Sequence, residues 1–114
     1  MRIPTDFERR VYDAISRIPR GKVSTYKLVA ASLGCGSCQA VGQALKRNPF
    51  APEVPCHRVI ASDLTLGGFS GQRTGRAIHR KKALLGREGV VFRNGRAIPS
   101  CVHKFNEFRV SGRR

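Results

Sequence analysis

The 114-residue chain carries 22 Lys and Arg against 7 Asp and Glu, a net charge of +15 on 12.6 kDa, so a polyanion is the expected partner. Its 40% hydrophobic content suffices for one modest core, and residues 1–114 are therefore read as a single domain, expected to be monomeric. No apolar run reaches the ~20 residues of a membrane span, and Met1 is followed by Arg2, Ile3, Pro4 and Thr5 rather than a secretory leader, which points to an intracellular protein of the cytoplasm or nucleus. In such a compartment Cys35, Cys38, Cys56 and Cys101 are expected as reduced thiols.

Thr5 and Glu8 stand at capping-box spacing, and Phe7, Val11, Ala14, Ile15 and Ile18 follow on one helical face, so a first amphipathic helix is expected up to Pro19. Ser24 or Thr25 can cap a second, short helix that runs through Leu33 and ends at Gly34. A third, capped by Ser37, continues to Asn48-Pro49, where proline forbids extension. Two short helices joined by a glycine-containing turn make a candidate helix-turn-helix. In the third helix Val41, Ala44, Leu45 and Asn48 form an inward stripe, which leaves Gln39, Gly42, Gln43 and Lys46 facing out. Gly42 costs helix stability, so either another helix or an outside partner is expected to approach the backbone there.

Val59-Ile60 and Leu64 to Phe69 read as short strands about a turn at Asp63, a small wing. Residues 76–86 have helical spacing, and Val90-Val91-Phe92, Asn94-Gly95 and Ala97-Ile98 read as a closing hairpin. The fold class is mainly α with a small β wing, a winged helix-turn-helix-like DNA-binding domain. Charge is denser toward the end, with 12 basic and 2 acidic residues in 71–114 against 10 and 5 in 1–70, and residues 100–114 are read as a basic extension.

Pro55-Cys56-His57-Arg58-Val59 concentrates the chemistry. A thiolate becomes a good nucleophile beside a base, a cation or a helix N-terminus, and His57, Arg58 and the turn after Pro55 could supply these. Taken alone, the pair is a weak signal, and a buried structural cysteine is the reading it favours. Cys35-x-x-Cys38 and Cys101-x-His103 add up on paper to four zinc ligands, but the first pair falls in the turn between helices, and neither metal nor cofactor is expected.

Five stretches occur in the order found in alkylguanine-DNA alkyltransferases: 21–26 (GKVSTY), 40–49 (AVGQALKRNP), 55–59 (PCHRV), 68–71 (GFSG) and 84–89 (LLGREG). The chain thus resembles the C-terminal, DNA-binding and catalytic domain of that family over residues 6 to about 92, without the family's N-terminal domain. The resemblance implies binding of duplex DNA through the minor groove, extrusion of O-6-alkylguanine, and irreversible transfer of the alkyl group to Cys56. It implies His57 as a base acting through water, Glu88 as the carboxylate that orients it, Tyr26 as a hydrogen-bond donor to the flipped base, and Asn48 as the tie between recognition helix and active-site turn. Backbone at Cys56, Val59 and Ser70 would contact the base, and Lys81 would lie near the pocket. Gln39, Ala40, Gly42, Gln43, Lys46 and Arg47, with Lys27 and Ser62, would face DNA.

At the family's arginine finger this chain has Gln39, which implies weaker base flipping because glutamine lacks the cation and the stacking plane. In length it also resembles the alkyltransferase-like proteins, which bind alkylated guanine without reacting and pass damage to excision repair. In those, tryptophan typically replaces the nucleophile, whereas Cys56 is present here.

Overall fold

Helix α1 (Asp6–Ile15) starts at Thr5, whose hydroxyl accepts from the Glu8 N–H while the Glu8 side chain accepts from the Thr5 N–H. This reciprocal pair satisfies two N-terminal donors and sets the helix phase that buries Val11, Tyr12, Ala14 and Ile15. The computed structural model describes residues 3–49, 53–67 and 75–105. Strand β1 (Ser24–Thr25) leads directly into α2 (Tyr26–Ser32), capped by Thr25, and α3 (Cys38–Lys46) is capped by Ser37. A 3₁₀ turn (Cys56–Arg58) runs into β2 (Val59–Ile60); α4 (Arg76–Arg87) and the hairpin β3 (Phe92–Arg93) and β4 (Arg96–Ala97) follow. Among the described residues no helix is long and apolar enough to cross a membrane.

Two apolar clusters meet at the β1–β2 pair. β1 and β2 are parallel, with Ser24 opposite Val59 and Thr25 opposite Ile60. Adjacent residues of a strand point to opposite faces, so Val59 packs with α1, α2 and α3 while Ile60 packs with Val23, Leu85, Val90, Ala97 and Cys101. Each strand is only two residues long, but both are buried, and the turn at Cys56 is thereby anchored at the junction of the two clusters.

Chain order and helix positions agree with the sequence reading, and the inward stripe of α3 is buried at Val41, Ala44 and Leu45. The wing differs. Leu64 to Gly67 form no strand, because the Asp63 carboxylate accepts from both the N–H and the hydroxyl of Thr65, and hydrogen bonds between Ala61 and Leu64 and between Ala61 and Thr65 close a tight turn. Leu64 sits there at φ +73°, outside the extended region. Residues 68 and 69 of the expected strand, and Ser70, lie outside the described residues. β2 instead takes its partner from β1, 35 positions earlier in the chain. The hairpin forms as expected, since Asn94 and Gly95 adopt φ +53° and +78°, the left-handed pair that a two-residue turn requires.

The packed region extends past the hairpin. Val102 bridges to Val23, His103 N–H donates to the Val23 carbonyl at 2.6 Å, and Cys101 is buried in the second cluster, so residues 100–103 are part of the body rather than an extension from it.

α1 also fixes α3. The buried Tyr12 hydroxyl donates to the Ala44 carbonyl in the last turn of α3 at 2.8 Å. Tyr12→Phe removes that donor while keeping the ring, and should lower unfolding free energy by about 1 kcal/mol in urea titration, with helix content unchanged.

Candidate active site

The turn that carries Cys56 is held from both sides. Its own backbone closes through Cys56 N–H to the Val54 carbonyl at 2.8 Å and Arg58 N–H to the Pro55 carbonyl at 2.9 Å. From outside, the Asn48 side-chain amide, just past α3, donates to the same Val54 carbonyl at 3.0 Å. Asn48, at the end of α3, and Cys56 therefore share one acceptor, which couples helix and turn mechanically. Cys56 itself is a free thiol, partly buried against the first cluster.

Behind it lies a buried ionic array. His57 Nε2 is 3.0 Å from Glu88 Oε2, with both side chains less than a tenth exposed. Arg58 donates from Nε to Glu88 Oε1 at 2.8 Å and from Nη2 to Oε2 at 2.9 Å, a bidentate pair, and its Nη1 reaches the Ile18 carbonyl at 2.8 Å. The hydrogen bonds of Arg58 hold the Glu88 carboxyl down at about 2 against the resistance of burial, and His57 adds to the effect. For His57 burial dominates and lowers the imidazole below its ordinary value. The hydrogen bond and charge of Glu88 oppose this, while the cations Arg58 and Lys81 reinforce it.

Lys81 is fully buried on α4, with Nζ donating to the Leu66 carbonyl at 2.5 Å. Burial lowers its amine to about 8, and attraction to Cys56 acts the other way. The segment it holds passes over Tyr26: a Cβ on Gly67 would stand 3.5 Å from the Tyr26 ring and 3.2 Å from the Ala61 nitrogen, and Gly67 has φ +69°. Only glycine fits without strain there. Tyr26, at the first position of α2, is thus brought to the same side of the molecule as the Leu66–Gly67 segment and the Lys81 amine.

The expected DNA-facing residues are distributed as follows. Gln39, Gln43, Lys46, Lys27 and Ser62 are exposed, and Ala40 and Gly42 are half-buried. Arg47 is exposed but leans back to Glu8, 3.6 Å away. A Cβ on Gly42 would meet nothing within 4 Å, so among the described residues no second helix explains this glycine. Val59 is fully buried in β2. Cys35 packs against the first cluster, Cys38 is exposed at the start of α3, and Cys101 lies in the second cluster; among the described residues no three His, Cys, Asp or Glu side chains converge as metal ligands.

The sequence offers Arg58 as one of three groups that could stabilise the Cys56 thiolate, and the structure gives it other partners. Its guanidinium is committed to Glu88 and Ile18. Glu88 is 30 residues distant, and adjacency to His57 gave no sign of the pairing.

Glu88 has its carboxyl depressed in the folded state, so its stabilising contribution is complete above about 4.5 and is lost as pH falls toward about 2. Glu88→Gln should cost about 3 kcal/mol near neutral pH, since it strands the Arg58 guanidinium. Urea midpoints of the two proteins should converge as the pH is lowered through that window.

A model of the 6-O-methylguanine DNA methyltransferase DNA-binding domain matches residues 6–90. The methylated-DNA--protein-cysteine methyltransferase of Methanothermobacter thermautotrophicus is 49% identical over 86 residues, which is 75% of this chain and 46% of that protein. The chain spans about half the length of the curated relatives it matches. Among solved structures, the O6-methylguanine-DNA methyltransferase of Pyrococcus kodakaraensis aligns with TM-score 0.66 and 45% identity, over 75% of this chain and 47% of its own. S. pombe Atl1, solved in complex with damaged DNA containing O6-carboxymethylguanine, aligns with TM-score 0.73 and 36% identity, over 91% of this chain and 99% of its own. With the family model covering most of its length, the chain belongs to the 6-O-methylguanine DNA methyltransferase family, through that family's DNA-binding domain.

Proposed function

We propose that this protein binds duplex DNA through α3, takes O-6-alkylguanine out of the stack, and moves the alkyl group onto Cys56 once per molecule. The observation that carries the reading is the placement of a partly accessible thiol next to the His57–Glu88–Arg58 array, in a turn tied to α3 through Asn48. His57 takes the Cys56 proton through a water, and the sulfur attacks the alkyl carbon. As the carbon–oxygen bond breaks, its electron pair passes to the guanine oxygen. Tyr26 donates a hydrogen bond to the base there, with backbone at Cys56, Val59 and Ser70 and the Lys81 amine completing the pocket. The guanine anion so formed takes back, by way of the water, the proton that His57 took from Cys56, and the products are unmodified guanine and a thioether. A thioether offers water no easy displacement, so the protein is consumed.

On the DNA side, the open space over Gly42 and the thin side chain of Ala40 support close approach of a sugar-phosphate edge, with Gln39, Gln43 and Lys46 flanking it. Arg47, Lys27 and Ser62 complete this surface. Gln39 in the finger position makes extrusion less efficient, since it supplies hydrogen bonds but neither cation nor stacking plane.

A second reading draws on the likeness to S. pombe Atl1, which extends over almost all of that protein. On it, the chain senses the lesion without reacting and recruits excision repair. Intact-mass measurement separates the two. Incubation with a duplex containing O-6-methylguanine should add one methyl group per molecule at Cys56 and then stop, and Cys56→Ser should bind the duplex without gaining mass. Binding by the unaltered protein with no added mass would favour the sensor.

Gly42→Ala tests the DNA-facing surface. With nothing nearby to clash, alanine should raise unfolding free energy by up to about 1 kcal/mol through helix propensity. It should weaken duplex affinity at the same time, and a variant that is stabilised with unaltered affinity would remove Gly42 from the interface.

A further inference from the structure

Glu88 presents two oxygens, and Arg58 occupies both, at 2.8 and 2.9 Å, while His57 shares Oε2 at 3.0 Å. An anionic carboxylate can only accept, so the His57 nitrogen facing it carries a proton and Nε2 is the donor. The second ring nitrogen is left for other work. A buried carboxylate facing an imidazole alone would draw a second proton onto the ring. Here the carboxylate faces a guanidinium as well, which is held in place by its third contact to the Ile18 carbonyl. Seen from His57, the guanidinium offsets part of the pull of the carboxylate, and burial of the ring is the largest influence against the imidazolium.

We infer that Arg58 is a positioning residue which, by holding both oxygens of Glu88, keeps His57 neutral with its proton on Nε2 and its lone pair on Nδ1. The groups that act on the ring are Glu88 and Lys81 from the α4 side and Arg58 from its own turn, and the segment after α1 contributes the Ile18 carbonyl that anchors Arg58. Lys81 also opposes a positive ring, so the two cations act in the same direction. The use of the Nδ1 lone pair as the base for Cys56 rests on the proposed alkyl transfer. The pairing that sets it does not.

Arg58→Gln removes the cation, and Arg58→Lys keeps a charge but cannot serve both carboxylate oxygens and the Ile18 carbonyl together. Two readouts on the full chain are needed. Nitrogen NMR of the His57 ring against pH reports tautomer and protonation directly, and the single-turnover rate of methyl transfer against pH reports their consequence. The unaltered protein should show the Nε2–H tautomer and a transfer rate that holds down to mildly acidic pH. In Arg58→Gln the ring should stay protonated to higher pH, and the acid limb of the rate should follow, so that near pH 6 the rate relative to its own plateau falls about threefold or more. Arg58→Lys should fall between the two. If Arg58→Gln does not fold, a Lys variant with a raised His57 titration still supports the inference. A His57 titration unmoved in the folded variants, with only a lowered plateau, would overturn it, as would an Nδ1–H tautomer in the unaltered protein. Absence of methyl transfer in the unaltered protein would refute the proposed function alone, because the NMR titration decides the role of Arg58 without it.

Discussion

The Glu88 carboxylate is the point on which the site depends. It sits at the C-terminal end of α4, where the helix dipole disfavours a negative charge, and it is nearly withdrawn from water. Neither condition is tolerable for an unpaired anion. Arg58 answers both: two opposite unit charges about 4 Å apart attract by about 4 kcal/mol at an effective dielectric constant of about 20, which is enough to offset several kcal/mol of desolvation when the geometry is bidentate. Because the same guanidinium holds the Ile18 carbonyl, the pair draws together the end of α4, the turn with Cys56 and the segment that follows α1. Arg20 adds a contact to the Arg87 carbonyl at 3.2 Å, and a Cβ on Gly21 would stand 3.0 Å from the Glu88 carbonyl, so the chain passes tightly under this end of the helix.

From this fixed end, rigidity is passed on by main-chain acceptors rather than by further charges. Val54 O receives both Cys56 N–H and Asn48 Nδ2, and Ala44 O receives the Tyr12 hydroxyl. These contacts join α1 to α3 and α3 to the turn. A load on the outer face of α3, such as a bound duplex, is therefore carried through the Asn48 amide into the residue before Pro55. Placement of the proposed nucleophile relative to the DNA-facing helix is set by hydrogen bonds of 2.8 to 3.0 Å.

The parts legible in the sequence are those whose cause is local. Thr5 with Glu8, Ser37 before α3 and Asn94-Gly95 each carry their physical reason within four residues, and each is found as read. The parallel pairing of Ser24–Thr25 with Val59–Ile60 was not legible, since a two-residue strand shows no alternation and parallel partners are not joined by a turn. The Asp63 turn misled for a related reason. Apolar Leu64 and Leu66 resemble a strand, but the Asp63 side chain offers Thr65 a competing local hydrogen bond, and that bond prevails. Within the site, the residue types at 26, 48, 56, 57 and 88 could be read from motif order, whereas the partner of Arg58 required coordinates because nothing in a sequence records which cation reaches a carboxylate 30 residues away.

Lys81 shows what the site demands of the fold. Leu85, one turn further along α4, is fully buried, so a lysine on that stripe is buried at a cost that leucine would not incur. Its amine is depressed to about 8, which means that near neutral pH the folded state holds a largely protonated, desolvated cation. The sign follows from linkage: the unfavourable contribution is complete below about 8 and is relieved as pH rises from there toward 10.5. One hydrogen bond to the Leu66 carbonyl recovers part of that cost and fixes the segment that lies over Tyr26. A position chosen for stability would carry an apolar side chain. A cation retained there, together with one spent on Glu88, adds to burial in opposing a charged ring, against the pull of the Glu88 carboxylate that keeps the ring oriented. The fold thus accepts a destabilised helix α4 in return for the protonation state that the proposed transfer requires of its base.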